Sequence, residues 1–200
     1  KEVAIDLLRE ATVEILTYTW VVEPIMDGNR IRGVIVQNKS GRQAILAKTV
    51  VDCTGDADVA AASGAEFVKG REKDEKMRPM SVLFRLGGVD VKRAVEFCRK
   101  NPQNFTADPN FHILDLDKGL VRMSYNVDGT SAWDLTRADM EARSQNRKLF
   151  AVIRKNIPGF ENSYVLDSSP TVGVRETRRV RGPHLLKQED MMALSIYPDS

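Results

Sequence analysis

Cysteine is scarce in this sequence. Cys53 and Cys98 are the only two in 200 residues, and they lack the CxxC spacing of a redox or zinc pair. Each reads as a small core residue, Cys53 behind a turn and Cys98 on a helix beside Phe97. No apolar run approaches the ~20 residues needed to cross a bilayer. Charge of one sign is lacking too: 30 basic side chains face 28 acidic ones, so nothing argues for nucleic acid. There are two histidines, His112 and His184, and no cluster with metal-ligand spacing, Ser–His–Asp pattern or Walker motif. A GxGxxG loop is missing as well. Gly87-Gly88 comes nearest but lacks the third glycine and the small-residue helix.

What is present is organised around residues 50–65. A β-branched run, Thr49 to Val51, suits a buried strand. It breaks at Thr54-Gly55-Asp56, and an alanine-rich segment follows at once, with Asp56 or Asp58 placed to cap a helix. Strand, tight glycine turn and helix start together aim backbone N–H groups and a positive dipole end at one spot that suits an anion. An ordinary βα connection has the same form. Capping and turn formation account for Asp52, Asp56 and Asp58 better than acid–base work does.

Before this stretch, Val3, Ala4, Leu7, Leu8 and Ala11 have the spacing of an amphipathic helix. Thr12 to Val22 reads as a strand, Asp27-Gly28-Asn29 as a hairpin turn, Ile31 to Asn38 and Gln43 to Lys48 as returning strands. After it, the charged run Arg71 to Arg78 with Pro79 marks a boundary or link. Ser81 to Leu86 is a predicted strand, Val89 to Arg99 a helix capped at Asp90, and Asn101 to Asn110 a loop. Leu120 to Asn126 is another strand. The longest helix is expected over Leu135 to Asn156, with Thr136 as N-cap. Its residues Met140, Leu149, Val152 and Ile153 would face a core, and Arg137, Arg143, Arg147 and Arg154 water. Tyr164 to Val174 then reads as a strand. On its continuation Arg175, Thr177, Arg179 and Arg181 share one face, while Glu176 and Arg178 share the other. Charge on both faces points to a cleft or to a strand turning into a loop; a salt-bridged surface strand is the plainer reading. The chain opens inside a helix at Lys1 and stops at Ser200 soon after a helix-start signal, which reads as an internal piece of a longer protein.

The run Asp52-Cys53-Thr54-Gly55-Asp56 with Gly64-Ala65-Glu66-Phe67-Val68-Lys69-Gly70-Arg71-Glu72 resembles the FAD-dependent oxidoreductases of the glutathione-reductase-like flavoprotein superfamily. Val172-Gly173-Val174-Arg175-Glu176-Thr177-Arg178-Arg179 looks like a second segment of that family. The resemblance implies an α/β plus α+β fold. Residues 1–78 would be the second half of a Rossmann-like FAD-binding domain with a β-meander, and 79–200 a mixed-sheet cap or substrate domain. It implies FAD as cofactor, with Val21, Thr54, Gly55, Asp56 and Arg71 on the cofactor side. Because the flavin does the redox chemistry and the protein positions and tunes, the arginines matter most. Arg175, Arg178 and Arg179 would hold a small-molecule substrate, and His184 would donate or accept a proton. Neither nucleic acid nor a membrane is an implied partner; a homo-oligomer is compatible with it. A non-catalytic α/β module derived from such a flavoprotein stays open, as does an NAD(P)H-linked dehydrogenase without flavin.

Overall fold

A computed structural model describes residues 2–101, 111–115, 120–125, 127–183 and 187–194. The chain forms two compact units, Lys1–Val68 with Arg179–Ser200, and Lys69–Arg178. It therefore passes from one unit to the other twice, where the sequence suggests a single boundary at 78/79.

In the first unit α1 (Glu2–Glu10) is followed by irregular chain, and the first strand, β1 (Trp20–Asp27), begins eight residues later than the expected Thr12. The reason is local: Thr12 and Tyr18 both adopt positive φ, which breaks an extended run. β1, β2 (Arg30–Asn38) and β3 (Gly41–Leu46) then form an antiparallel meander in the order β1-β2-β3. Tight turns containing Gly28 (φ 57°) and Gly41 (φ 100°) join them. At Gly33 the two later strands come so close that a Cβ would lie 2.1 Å from the Ile45 carbonyl oxygen. Residues 49–51, expected as a buried strand, are not one; Val51 is 78% exposed. Beyond them lie the short helix α2 (Asp58–Ala62) and β4 (Phe67–Lys69). Among this unit's described hydrophobic residues, only Val36 and Val59 are buried.

The second unit is built on β5 (Met80–Gly87). Met80, Val82, Phe84 and Leu86 are buried while Arg85 stands outside, the period-two pattern of a strand with one covered face. α3 (Val91–Lys100) follows, with Asp90 as its N-cap accepting from the Arg93 amide at 3.2 Å, as its sequence predicts. β6 (Phe111–Asp115), β7 (Leu120–Tyr125), β5 and β8 (Tyr164–Ser168) form an antiparallel sheet in the order β6-β7-β5-β8.

The covered face of β5 packs under α4 (Ala132–Asn156), which buries Ala138, Ala142, Asn146 and Ile153 in near-regular steps of one turn. One cluster joins Phe84, Leu86, Ala94, Ile153 and Phe160; another joins Met80, Val82, Ala142 and Val172. Full burial of each large side chain contributes roughly 1.5–3 kcal/mol. α4 starts three residues before the expected Leu135 because Ser131, not Thr136, is the cap: its hydroxyl accepts from the Asp134 amide at 3.3 Å. Thr136 instead donates to the Ala132 carbonyl. Met140 and Val152, expected in the core, are exposed; the true stripe uses the small Ala138 and Ala142, which let the helix approach the sheet.

β8 ends at Ser168 rather than running to Val174. The Ser169 amide still donates to the Leu83 carbonyl at 2.8 Å, Pro170 supplies no amide for a ladder, and the chain rejoins β5 at the Ser81–Gly173 bridge. β9 (Arg178–Val180) then pairs with β4, and α5 (Gln188–Met192) follows.

Candidate functional sites

The turn at residues 52–58 is held by one carboxylate. Asp52 Oδ1 accepts from the Thr54 amide (2.9 Å) and the Thr54 hydroxyl (2.7 Å), and Oδ2 accepts from the Ala60 amide (2.8 Å). The Thr54 Oγ1 accepts in turn from the Asp58 amide at 2.9 Å. Partial burial raises the Asp52 pKa, but these donors outweigh it and hold the carboxyl below its ordinary value. The expected caps, Asp56 and Asp58, are therefore not the residues that cap α2. Its N-cap position is Ala57, in the left-handed region at φ 54° and with no side-chain cap bond, and the donors are met by Asp52 and Thr54. Gly55 has φ 88°, and the space where a Cβ would stand is open. A shallow depression of about 300 Å³ adjoins the turn, lined among others by Asn29, Asp52, Ala60 and Gly64. Val21, on β1, faces Val36 in register and is partly exposed. Cys53 is exposed, not packed behind the turn; Cys98 is half-buried, and burial pushes its thiol up, away from the reactive thiolate.

Arg71 closes a small loop. Its guanidinium donates twice to Asp74, at 3.0 and 2.6 Å, and its backbone bonds Glu75 and Lys76. Gly70, at φ 63°, lies so near the Glu75 carbonyl oxygen that a Cβ would be 2.0 Å from it. The charged run thus forms an exposed loop folded on itself, and Asp74 answers the Arg71 charge.

The expected strand face of arginines does not form. Arg175 is exposed on irregular chain and Thr177 is buried, whereas Arg178 and Arg179 occupy successive positions of β9 and point to opposite faces, as their alternation predicts. His184 lies outside the described residues.

A further cleft in the second unit has residues read from sequence as a wet face. It measures about 590 Å³ and is lined by Phe84, Arg143, Asn146, Arg147, Phe150, Val165 and Ser168. Arg143 is tied down on all sides: to Asp139 at 2.8 and 3.1 Å, to the Ser168 hydroxyl at 3.1 Å, and to the carbonyls of Ser169 and Pro170. Asn146 is only 7% exposed; its Nδ2 donates to the Val82 carbonyl at 3.4 Å, and its Oδ1 has no partner. The signal for this cleft lay in the sequence, as an asparagine in register with the Ala138–Ala142 stripe.

The sequence model of a family described as FAD dependent oxidoreductase matches residues 1–200. The chain belongs to that family, whose cofactor is FAD. No curated protein and no solved structure matches it.

Proposed function

We propose that this chain is the part of a glutathione-reductase-like FAD-dependent oxidoreductase that completes a Rossmann-like nucleotide domain and supplies a substrate domain. The family match over the whole chain carries this reading. Local support comes from the turn at residues 52–58. Gly55 exposes its backbone with no side chain in the way, and the Asp52 and Thr54 bonds hold it in one shape. A rigid, bare backbone at a helix entry suits close approach of a nucleotide, so the residues present fit the cofactor. Thr54, Gly55 and Asp56 would face the nucleotide at this turn, with Val21 on the adenine side and Arg71 toward the ring.

The flavin, when bound, supplies the two-electron redox chemistry. The chain's own work is to bind and orient a small-molecule substrate. Arg175, Arg178 and Arg179 are each candidates for that role, since a planar fork holds an anion in two-point contact, and His184 for the role of proton donor or acceptor near neutral pH. An absorbance spectrum of the purified protein is the first test. Flavin bands in the full-length protein that Gly55→Val abolishes support the cofactor assignment; a full-length protein that stays colourless even with FAD added refutes it. Turnover lost in Arg178→Ala or Arg179→Ala with flavin retained supports the arginine assignment, and unchanged turnover removes it.

A further inference from the structure

We infer that the outward face of α4 is a docking surface for an acidic amphipathic helix of another protein. The inference stands on α4 alone and does not rest on the flavin reading.

The helix buries Ala138, Ala142, Asn146 and Ile153 on one side. On the other, Trp133, Arg137, Met140, Arg147 and Arg154 lie on a single stripe about 30 Å long, set by alternating steps of four and three residues. The positions that complete the alternation, Ser144 and Ala151, are small. Trp133 is 85% exposed and Met140 69%. Tryptophan, methionine and arginine are the residue types enriched where proteins meet. Small positions between them leave hollows for the side chains of a second helix.

Charge sets the chemistry of that helix. Ion pairing is the habit of this unit: Arg71 with Asp74, Arg85 with Asp167, Arg93 with Glu161, Lys100 with Glu96. On α4 itself Arg137 pairs with Asp134 and Arg143 with Asp139. The habit stops there. Residues 142–156 include no acid, and Arg147, Lys148, Arg154 and Lys155 are exposed cations with no ion pair to a described residue. The helix dipole accounts for Arg154 and Lys155, which lie in the last turn. It does not account for Arg147 and Lys148, two turns earlier, because the effect fades within one turn. Lys148 and Lys155 repeat the seven-residue interval of Arg147 and Arg154, so two rows of positive charge run side by side in steps of about 10 Å. Carboxylates at the same interval on a partner helix match both rows, with apolar side chains of that helix against Met140 and Trp133. A lipid surface matches less well, since the arginines interrupt the apolar positions and leave no continuous face to insert. A duplex phosphate backbone would leave Trp133 and Met140 unmatched.

The test reads Trp133 fluorescence in the whole chain carrying Trp20→Phe, which removes the one other tryptophan. The probe is a synthetic three-heptad amphipathic helix of glutamate, leucine and alanine, with a glutamine-for-glutamate counterpart. The acidic peptide should bind saturably and shift Trp133 emission to the blue, less tightly as salt rises. Arg147→Glu and Met140→Glu should each weaken it roughly tenfold or more, with the unfolding midpoint unchanged. Lys92→Glu makes the same change of net charge on α3 and should leave binding as it was. No saturable binding at low salt overturns the inference, as does equal binding of the glutamine peptide or equal weakening by Lys92→Glu. A Trp133 shift on phosphatidylglycerol-containing vesicles or duplex DNA that matches the peptide's overturns it as well, in favour of a lipid or nucleic-acid surface.

Discussion

The two units carry similar apolar sequence and treat it differently. In the second, β5 places Met80, Val82, Phe84 and Leu86 under α4, and a phenylalanine as large as Phe160 is fully buried. In the first, β1 and β3 are just as apolar, yet Trp20, Val21, Val22, Ile45 and Leu46 stand at the surface, as do Val3, Leu7 and Leu8 of α1. A sheet needs a second layer to bury a face. The second unit has one in a 25-residue helix, whereas in the first the helix set against the meander among the described residues, α2, has five residues. Alternation in a sequence states which side wants covering. It does not state what covers it.

The largest expected effect tests whether the second core is self-sufficient. Phe160→Ala should cost about 3–5 kcal/mol. Hydrogen exchange should show the loss in residues 80–100 and 132–163, with residues 20–46 unaffected. Equal loss in the meander would break the comparison by showing that the two units unfold as one. Gly33→Ala is the converse. With a Cβ 2.1 Å from the Ile45 oxygen, the β2–β3 pairing must spread, at roughly 1–3 kcal/mol, and exchange should speed up in residues 30–46 alone.

A smaller effect concerns the start of α4. Ser131→Ala should cost about 1 kcal/mol, whereas Thr136→Ala should cost little; comparable losses in denaturant unfolding would return the cap to Thr136. The smallest is a pH effect on Asp128. Partial burial raises its pKa, but the Lys69 ammonium at 2.7 Å and the Thr130 hydroxyl and amide lower it more, leaving it at about 2. A depressed carboxylate stabilises fully above its unfolded pKa of about 3.9, and the stabilisation is lost as pH falls through 4 toward 2. Both partners are about a third exposed (36% and 33%), so screening leaves ~1 kcal/mol or less. Lys69→Met should flatten that limb of the stability–pH curve.

Legibility in the sequence followed the same division. The meander turns at Gly28 and Gly41, the Asp90 cap and the strand at β5 could be read because each is set by neighbours in sequence. The start of β1 could not, since nothing in the composition of residues 12–19 announces positive φ at Thr12 and Tyr18. The α4 face was read correctly at Leu149 and Ile153 and misread at Met140 and Val152 for a different reason. Large residues such as Met140 and Val152 looked like the core, but close packing selected alanines and an asparagine. Arg143 likewise looked solvated, because its partners Ser168, Ser169 and Pro170 lie some 25 residues away. The family was legible from the two quoted segments; the local form of the second was not, because β9 is three residues long and Arg175 precedes it.

The carboxylate network at Asp128 also bears on how the protein ages. Two Asp-Gly steps occur in the described chain, Asp27-Gly28 and Asp128-Gly129, and such steps isomerise when the glycine nitrogen attacks the aspartyl side-chain carbon to close a succinimide. Asp128 is a poor target. It stays ionised, and Lys69 and Thr130 hold its oxygens in place. Gly129 is wedged besides, where even a Cβ would lie 2.6 Å from Thr177 Cγ2. Asp27 is held by Arg32 through Oδ2, but on an exposed hairpin whose Gly28 has open space around it. Peptide mapping after prolonged storage should therefore find isoaspartate at position 27 and almost none at 128.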